Sequence, residues 1–456
     1  MGLVAFLFRL RSYQSLLIPI IMKCSEYNYY VSTDKGDLIY NTIGDSFVFL
    51  PLGQSKKLKE HDWNFFTGDQ ISSFRKANIV IDKDVDERAF LMKEYDVAHR
   101  SPIYYLTLLP TLDCNVKCWY CFERLKKGSR LLPNTKDAIL KHINHVMREN
   151  SGIRKLAVEL FGGEPLLYYQ EDMHDLLKEI KRIVINAGKS FNLLLVTNGI
   201  NLTSETINLL AEFSPHVQIS IDGERNTHNK VKRLPNAPHI SVYDKVMKNI
   251  SELSKLPNIY INIRINYDDN TLPLIPSIIK NLKEIDRSKI GIHLERIWQT
   301  IKPNEMANND VLRKVILQLL NAGFYVTYMN FFRKGYSCKA SKINQAVISY
   351  DGHVYKCTGR NFTDTFSDGV LNDDGRIVWK KEKWEERTLI NTHKIEICKE
   401  CKLLPLCWGP CCQKHLECKR DGLKIEDKCQ LNHLELPMDE YILFRFLSQT
   451  NRNKAL

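Results

Sequence analysis

Three cysteines on one short stretch are the residues of this chain best suited to chemistry. Cys114, Cys118 and Cys121 follow a strand-like run from Tyr104 to Pro110 in the order CxxxCxxC. Three thiolates from one loop can hold three corners of a four-iron, four-sulfur cluster, which leaves the fourth iron without a protein ligand. The loop alone also permits a zinc knuckle that lacks one ligand, or a redox-active CxxC pair.

A second motif follows the next strand-like run. Residues 156–161 are mostly apolar and lead directly into Gly162-Gly163-Glu164-Pro165. Two glycines let the backbone pass close to a ligand, and a carboxylate placed just after a strand can accept hydrogen bonds from an ammonium group. Alone, this segment is an ordinary strand-to-helix turn. Behind a CxxxCxxC loop, it indicates part of a binding site.

A larger group of cysteines lies near the carboxyl end. Its members are Cys338, Cys357, Cys398, Cys401, Cys407, Cys411 and Cys429, with Gly352 between the first two. The four from Cys398 to Cys411 have the order CxxCx5Cx3C, a spacing that could also close a tetrahedral zinc site. A zinc ribbon, however, explains neither the preceding Cys338–Cys357 segment nor the loop at Cys114.

The residues from Cys114 to Glu123 resemble the signature loop of the radical SAM enzymes, and Gly162-Gly163-Glu164 resembles the GGE motif of that superfamily. The resemblance implies that the open iron chelates the amino and carboxylate groups of S-adenosylmethionine, and that Glu164 binds the methionine ammonium. It also implies that an electron from the cluster cleaves the sulfonium to give a 5'-deoxyadenosyl radical. In such enzymes the protein orients the cofactor and excludes water.

Further candidates end later strand-like runs. Ser220-Ile221-Asp222-Gly223, with His228 and Arg233 beyond it, resembles the SxDG...H...R segment of the family, in which Ser220 and Arg233 would contact polar groups of the cofactor. From the residues alone this is equally a strand-terminating turn. By the same resemblance, Tyr120 would contact the adenine side. Three more polar residues are expected either to line the substrate cavity or to form a buried ion pair: Arg264, Asn266 and Glu295.

Cysteine for cysteine, the C-terminal array resembles the SPASM domain, which carries two auxiliary 4Fe-4S clusters. The resemblance assigns one cluster to Cys398, Cys401, Cys407 and Cys429. It assigns the other to Cys338, Cys357 and Cys411, which is one thiolate short. Cys412 and Cys418 are left over, and no cysteine occurs between Cys121 and Cys338. We therefore hypothesise an auxiliary cluster with an open iron that a substrate thiolate can occupy.

Composition bounds the remaining possibilities. The chain has 456 residues, of which 44% are hydrophobic and 26% charged, as in globular proteins. The net charge of +12 is spread without a long basic run, so we expect no nucleic-acid partner. The thirteen cysteines occur in tight groups, which in a cytoplasmic chain indicates metal binding rather than disulfides.

The first 21 residues fit neither a signal peptide nor a membrane-spanning helix, because Arg9 and Arg11 interrupt the apolar patches. We expect residues 1–22 to be a non-native or dispensable extension, with translation starting at Met22 and an inert Cys24. Mass spectrometry of the native amino terminus tests this expectation. We also expect a cytoplasmic protein without a membrane partner.

The elements predict an α/β fold. Residues 23–100 read as a small α+β module, with an antiparallel meander over 28–51, helices around 69–77 and 84–99, and a strand at 79–81. This module loosely resembles leader-peptide-binding elements of peptide-modifying enzymes, and equally fits a packing cap. Residues 101–330 alternate strands and helices, which predicts a partial (β/α)6 TIM-like radical SAM barrel. Residues 331–456 would form the cysteine-rich SPASM domain.

The resemblance favours an oxidoreductase of peptide maturation, related to the enzymes of ribosomally made peptides (RiPPs). It would install a thioether or another crosslink in a ribosomally synthesised precursor peptide. Its partners would be that peptide and an electron donor such as flavodoxin or ferredoxin. The alternative is an anaerobic sulfatase-maturating enzyme, but Thr358 follows Cys357 where that family has a catalytic Asp. A third class, a non-catalytic zinc or nucleic-acid module, would leave the GGE segment without a role.

Overall fold

The computed structural model describes residues 21–235, 237–301, 309–328, 338–388 and 395–455. The chain forms two compact units that divide between Leu91 and Met92. The predicted N-terminal extension lies, up to residue 20, outside the described residues. Met22 itself belongs to the first strand, which pairs antiparallel with the strand at 80–82.

In its described residues, the first unit contains five strands and two α-helices, and it includes the start of a third α-helix. The strands are β1 (Met22–Cys24), β2 (Asn28–Thr33), β3 (Gly36–Asn41), β4 (Ser46–Leu50) and β5 (Val80–Asp82). The helices are α1 (Gln54–Lys59), α2 (Gly68–Lys76) and α3 (Glu87–His99), the last of which continues into the second unit. The predicted meander is confirmed, because β2, β3 and β4 form an antiparallel sheet in that order.

A small apolar core holds the first unit together. The central strand β3 is buried along its whole length, and Ile39 packs with Leu58, Phe74 and Ile79, each almost without exposed surface. Helix α2 starts at a capping box in which the Thr67 side chain accepts from the Gln70 backbone N–H and the Gln70 side chain accepts from the Thr67 N–H.

The second unit is built on one sheet of eleven strands. They are β6 (Ile103–Leu109), β7 (Lys155–Leu160), β8 (Ser190–Thr197), β9 (His216–Ile221), β10 (Tyr260–Tyr267), β11 (Ile290–Arg296), β12 (Tyr325–Tyr328), β13 (Gln345–Ser349), β14 (His353–Tyr355), β15 (Gly369–Leu371) and β16 (Ile377–Trp379). Their spatial order is β12-β11-β10-β9-β8-β7-β6-β13-β14-β15-β16. Neighbours from β12 through β6 to β13 pair in parallel, and β13 to β16 pair antiparallel.

Helices connect the parallel strands, as a parallel sheet requires. They are α4 (Pro133–Glu149), α5 (His174–Asn186), α6 (Ser204–Ala211), α7 (Arg225–Val231), α8 (Val242–Ser254) and α9 (Asp310–Asn321). The C-terminal part adds α10 (Lys381–Thr388), α11 (Leu404–Cys407), α12 (Cys412–Asp421) and α13 (Met438–Ala455). In the part of the chain that the structure describes, no helix is long and apolar enough to cross a membrane.

All six predicted strands of residues 101–330 are present, but the predicted strand number is too low. β12 is a seventh parallel strand in this region, and β13, from the region predicted to be a separate cysteine-rich domain, pairs in parallel with β6. The C-terminal part therefore extends the same sheet. The segment before its last helix is also fixed to the sheet, since buried Glu435 accepts from Arg296 Nε at 2.8 Å and from Tyr267 at 2.7 Å.

The two faces of the parallel sheet differ in polarity. On β10, Ile261, Ile263 and Ile265 are fully buried, whereas the alternating Asn262 and Arg264 are half-buried. The apolar side chains fit the face that the helices cover. A sheet buried equally on both faces would have near-continuous apolar strands, so this alternation shows that the second face is polar and partly open.

Candidate functional site

The CxxxCxxC segment lies on a loop that is closed at its base. The loop leaves β6 and returns at Ser129, whose Oγ accepts from the Leu112 N–H at 2.9 Å. One carboxylate oxygen of Asp113 accepts from the Gly128 N–H at 2.7 Å, and the Lys126 N–H donates to the Leu112 carbonyl at 2.9 Å. The three cysteines therefore lie on a loop whose two ends are held together by hydrogen bonds, at the carboxyl end of the central strand β6.

The three thiols of this loop lie near one another. Burial raises the pKa of Cys114 to about 12 and that of Cys118 to about 11, and the charge of Cys121 adds to the increase at both. Cys121 itself is exposed. Because burial and mutual repulsion both oppose ionisation, these thiols need a positively charged partner to become thiolates, and a metal cluster provides one.

The separation of possible ligands bears on the kind of metal site that the loop could form. Among the described residues, no three cysteine, histidine, aspartate or glutamate side chains are close enough to share one metal ion. In an iron–sulfur cube each thiolate binds a different iron, so the sulfur atoms stand farther apart than around one zinc ion. The zinc-knuckle and cluster interpretations of the loop both stay predictions from the sequence.

The Gly162-Gly163-Glu164 turn is fastened to the same loop. The Glu164 N–H donates to the Asp113 carbonyl at 2.8 Å, and the Gly163 N–H donates to the Glu123 carboxylate at 2.7 Å. Gly163 has a φ of 47°, and a Cβ there would lie 2.2 Å from the Asp113 carbonyl oxygen. The close contact between the backbone of Gly163 and that of Asp113 therefore requires a glycine at position 163, and a bound ligand would require it as well.

Glu164 is surrounded by hydrogen-bond donors of the protein. Its carboxylate is fully buried and accepts from Thr197 Oγ1 at 2.7 Å, the Asn198 N–H at 2.9 Å and the Leu166 N–H at 3.1 Å. Burial raises its pKa despite these three donors. Through these hydrogen bonds the carboxylate joins the GGE turn to the end of β8.

A buried ion pair lies beneath the loop. Lys232 donates to Asp222 at 2.8 Å and to the Ser220 carbonyl at 2.9 Å, and both charged side chains are about 2% exposed. Tyr120 donates its hydroxyl to the same carboxylate and accepts from Asn266 Nδ2 at 3.2 Å. Burial opposes ionisation of Asp222, but the charges of Lys232 and His228 outweigh it, so the pKa of Asp222 is lowered.

Among the predicted contacts here, Arg233 is exposed, while Ser220 is half-buried on β9. The sequence pattern singled out Arg233 and overlooked Lys232, which lies one residue earlier. Lys232 is also close enough to Cys118 to lower the pKa of that thiol, against the larger effect of burial. The sequence did contain a signal for Lys232. His228 and Lys232 have i, i+4 spacing, which places both on one face of α7 and its C-terminal extension.

The polar face of the sheet brings the other predicted residues together. Arg264 Nε donates to Asn266 Oδ1 at 3.1 Å, and Arg264 Nη2 lies 4.0 Å from Glu295. His293, which is fully buried, hydrogen-bonds Glu295 at 2.8 Å and Thr327 Oγ1 at 2.8 Å. These contacts form a continuous polar network from Tyr120 on the loop to β12. Arg264 and Glu295 thus form an ion pair, but each side chain is about a third exposed and not buried, and the role of the group in a substrate cavity stays a prediction.

Four of the C-terminal cysteines line one cavity. Its volume is about 390 Å³, and its walls include Cys398, Cys401, Cys407 and Cys429 together with Leu404 and Pro410. Burial raises the pKa of Cys407 to about 12, and the charges of Cys429, Cys401 and Cys398 add to it. The structure thus brings together the four thiols that the sequence assigned to one auxiliary cluster, although they are spread over 32 positions of the chain.

The other three predicted ligands also meet. The Cys338 thiol donates to Cys411, a hydrogen bond that lowers the pKa of Cys411, and Cys357 is close enough for the Cys411 charge to raise its pKa in addition to burial. Cys412 is buried beside them, next to Arg387. Cys418 is buried elsewhere, with its Sγ 3.8 Å from the Lys424 carbonyl.

Comparison with known proteins identifies the central part of the chain. Residues 108–263 match the Radical SAM superfamily. This segment runs from the end of β6 into β10, and it contains the CxxxCxxC loop, the GGE turn and the Asp222–Lys232 pair. The chain contains a radical SAM domain.

The chain is also similar to proteins that extend beyond the radical SAM domain. It is 28% identical over 309 residues to the GTP 3',8-cyclase of Clostridium perfringens strain SM101, which covers 62% of this chain and 90% of that protein. It is 24% identical over 362 residues to the cysteine-type anaerobic sulfatase-maturating enzyme of C. perfringens ATCC 13124, which covers 72% and 94%.

A solved structure has the same fold as much of the chain. Native anSMEcpe with bound AdoMet and Kp18Cys peptide aligns with a TM-score of 0.51 at 20% identity, over 78% of this chain and 99% of that chain. At this identity the match concerns the fold alone. It covers more than the radical SAM domain, in agreement with the sheet that continues through β13.

Proposed function

We propose that the protein is a radical SAM peptide maturase that removes hydrogen from a precursor peptide and installs a thioether or another crosslink. The observation that carries this proposal is the presence of three separate groups of thiols, one on the radical SAM loop and two in the C-terminal part. An enzyme that forms a crosslink releases one electron per product beyond the initial hydrogen abstraction. The C-terminal groups would hold the clusters that accept it.

The residues of the radical SAM loop fit a 4Fe-4S cluster and S-adenosylmethionine. Cys114, Cys118 and Cys121 would hold three irons, and the backbone at Gly162 and Gly163 would face the methionine end. When bound, this pair supplies a 5'-deoxyadenosyl radical for hydrogen abstraction. Glu164, which also supports the GGE backbone, would bind the methionine ammonium. The ring of Tyr120 would contact the adenine, because its hydroxyl is held by Asp222.

The parallel strands would form the partial barrel of radical SAM enzymes, with the polar face of the sheet as its interior. Arg264 and Glu295 would bind polar groups of the peptide there. The Glu295 carboxylate, hydrogen-bonded to His293 Nε2, would also take up the proton that crosslink formation releases. Ser220 and Arg233 retain their proposed contacts with the cofactor.

The two C-terminal groups would form the auxiliary clusters of a SPASM domain over residues 331–456. The set of Cys398, Cys401, Cys407 and Cys429 gives four ligands around one cavity, as a closed cluster needs. The other set has three, and Cys412 follows Cys411 directly at the start of α12. We infer that this second cluster keeps an open iron, which a substrate thiolate can occupy.

Iron counting tests the assignment of the C-terminal thiols. Anaerobically reconstituted protein should bind about 12 irons, because each cube holds four. The variant Cys407→Ala/Cys429→Ala, which leaves only two thiols in its set, should bind about 8, and the control Cys418→Ala should bind the full number. The double variant Cys412→Ala/Cys418→Ala should also keep all its iron. If the double variant loses about four irons, then Cys412 is a ligand and the open-iron assignment is wrong. Zinc without inorganic sulfide would contradict the cluster assignment altogether.

The peptide partner can be tested directly. The antiparallel sheet of the first unit ends at β2 and β4, and an extended leader peptide could add to such an edge. Co-expression with short open reading frames from neighbouring genes, followed by mass spectrometry, should show a peptide that has lost two hydrogens. An unchanged mass for every neighbouring peptide, despite cofactor cleavage, would count against a peptide encoded nearby.

Formylglycine formation remains the second candidate, because the sulfatase-maturating relative covers 72% of the chain. The residues that would replace its catalytic Asp do not favour it. Thr358 stands directly after Cys357, Asp351 accepts from the His353 N–H at 3.3 Å within its own turn, and Glu400 is exposed. Conversion of a residue of a sulfatase peptide to formylglycine would favour this candidate.

For either function we propose a cytoplasmic enzyme, since its clusters would need a reducing compartment.

A further inference from the structure

The outer surface of the radical SAM loop carries cations that the protein does not use. Lys117, Arg124 and Lys127 are exposed, and in the described parts of the chain none of them forms an ion pair or a hydrogen bond through its side chain. All three lie on the loop whose ends are fixed at Leu112, Asp113 and Ser129. Their positions are therefore confined to the surroundings of the three thiols.

The other charged groups of the loop are committed to the protein. Asp113 accepts from the Cys114 and Gly128 N–H groups, and Glu123 accepts from the Gly163 N–H at 2.7 Å. Lys126 donates to the Tyr350 hydroxyl at 2.5 Å, and Arg130 pairs with Asp172 at 2.9 Å. Because the carboxylates turn inward and the unpaired cations turn outward, the exposed side of the loop is positive.

Large apolar side chains are exposed on the same surface. Trp119 is 56% exposed and Phe122 is 39% exposed, and exposed Cys121 lies between them in the chain. Trp298, at 61% exposed, is brought close because its neighbour Gln299 donates to the Tyr120 carbonyl at 2.9 Å. Exposed aromatic groups with charges at their edge are typical of protein interaction sites.

We propose that this surface, defined by Lys117, Trp119, Phe122, Arg124 and Lys127, docks an acidic protein that donates single electrons. The proposal rests on the proposed function, which requires one electron at the loop cluster for each cofactor cleavage. The docked donor is oxidised by one electron and the cluster is reduced by one, and no atom is transferred. Complexes of this kind are small, weak and guided by opposite charges, which suits a positive rim around exposed aromatics.

Charge reversal tests the docking surface. The loop variant is Lys117→Glu/Arg124→Glu/Lys127→Glu, and its matched control is Lys178→Glu/Lys245→Glu/Lys248→Glu, which reverses three exposed lysines on α5 and α8 with the same change in net charge. The probe is flavodoxin, an acidic one-electron carrier. Binding of flavodoxin to each protein is measured by calorimetry at low and high salt. Deoxyadenosine formation is then compared with reduced flavodoxin and with dithionite as the reductant.

The proposal predicts that the loop variant binds flavodoxin about tenfold or more weakly, with a smaller salt dependence, while the control variant binds as wild type does. The loop variant should also lose flavodoxin-driven turnover and keep dithionite-driven turnover. Equal binding by all three proteins, or equal weakening in both variants, would overturn it. If wild type makes no deoxyadenosine even with dithionite, the proposed function fails, while the binding constants still decide whether this surface docks the donor.

Discussion

At the scale of single residues, the Asp222–Lys232 pair is the centre of the site. Both side chains are almost completely buried, and the pair is contacted by the Tyr120 hydroxyl from the loop and by the Ser220 carbonyl from β9. A buried charge is tolerated only when it is paired and hydrogen-bonded. The pair therefore fixes the position of the loop residue that lies between Cys118 and Cys121.

Removing Lys232 should lower the stability of the protein, because the loop depends on this ion pair. Lys232→Met leaves the Asp222 carboxylate buried without its cation, so the free energy of unfolding should fall by about 3 kcal/mol or more. The control Lys230→Met, at an exposed position of α7, should be close to wild type. Chemical denaturation of the metal-free proteins measures both.

A second variant tests whether the loss of stability comes from the unpaired buried charge. The double variant Asp222→Asn/Lys232→Met removes both charges, so it should recover part of the lost stability. If Lys232→Met is as stable as wild type, or if the double variant is the less stable of the two, then the pair does not have the role assigned to it.

Residue types and spacing predicted which side chains form the site, but not what each one contacts. The cysteines and the GGE turn were accessible from the sequence, because their chemistry depends on short local spacing. The roles of Glu164 and Lys232 were not accessible, because they depend on which groups from β8 and β9 come within hydrogen-bonding distance. Burial at these positions is decided by tertiary packing, which leaves no short pattern in the sequence.

At the scale of elements, helix α4 is held to the sheet by a buried histidine. The Tyr104 hydroxyl on β6 donates to His142 Nε2 at 2.7 Å, and His142 Nδ1 donates to the Gly375 carbonyl at 2.9 Å. One nitrogen accepts and the other donates, so the contact needs the neutral imidazole. Burial lowers the pKa of His142 to about 4, from 6.5 for an exposed histidine.

This histidine should make the protein sensitive to acid. Because the pKa is lower in the folded state than in the unfolded state, the stabilising effect is complete above about pH 6.5 and is lost as the pH falls towards 4. A shift of about 2.5 pH units corresponds to about 3 kcal/mol. Wild type should therefore lose about 2 to 3 kcal/mol more stability between pH 7.5 and 4.5 than His142→Gln does.

Urea unfolding of the metal-free proteins at both pH values provides the measurement. His145→Gln, on the same helix but more exposed, is the matched control and should lose stability with pH as wild type does. Identical losses in wild type and His142→Gln would show that this histidine does not govern the acid sensitivity.

The strands were predicted from the sequence where they are long and alternate with helices. β12 and β13 were missed for different reasons. β12 has only four residues, Tyr325–Tyr328, which is too short for a clear period. β13 lies beyond the expected end of the barrel, and its parallel pairing with β6 depends on contacts between segments more than 200 positions apart, which local patterns do not record.

At the scale of the whole molecule, three groups of thiols are assembled by one fold. The loop at Cys114 comes from the radical SAM domain, and the other two groups come from segments between Cys338 and Cys429 that continue the same sheet or pack in the same unit. Spacing indicated the loop group, and the resemblance to the SPASM domain indicated the other two. The structure brings the members of each group together. The account therefore requires metal clusters, and the loop cluster determines whether radical chemistry occurs.

The most direct test is the release of 5'-deoxyadenosine. Protein reconstituted anaerobically with iron and sulfide is mixed with S-adenosylmethionine and dithionite, and the product is quantified by chromatography and mass spectrometry. Wild type should release deoxyadenosine, and Cys118→Ala should release none above background, since in the proposed function the loop thiols hold the cluster. Reconstituted wild type that binds iron but releases no deoxyadenosine would contradict the assignment of this chain as a radical SAM enzyme.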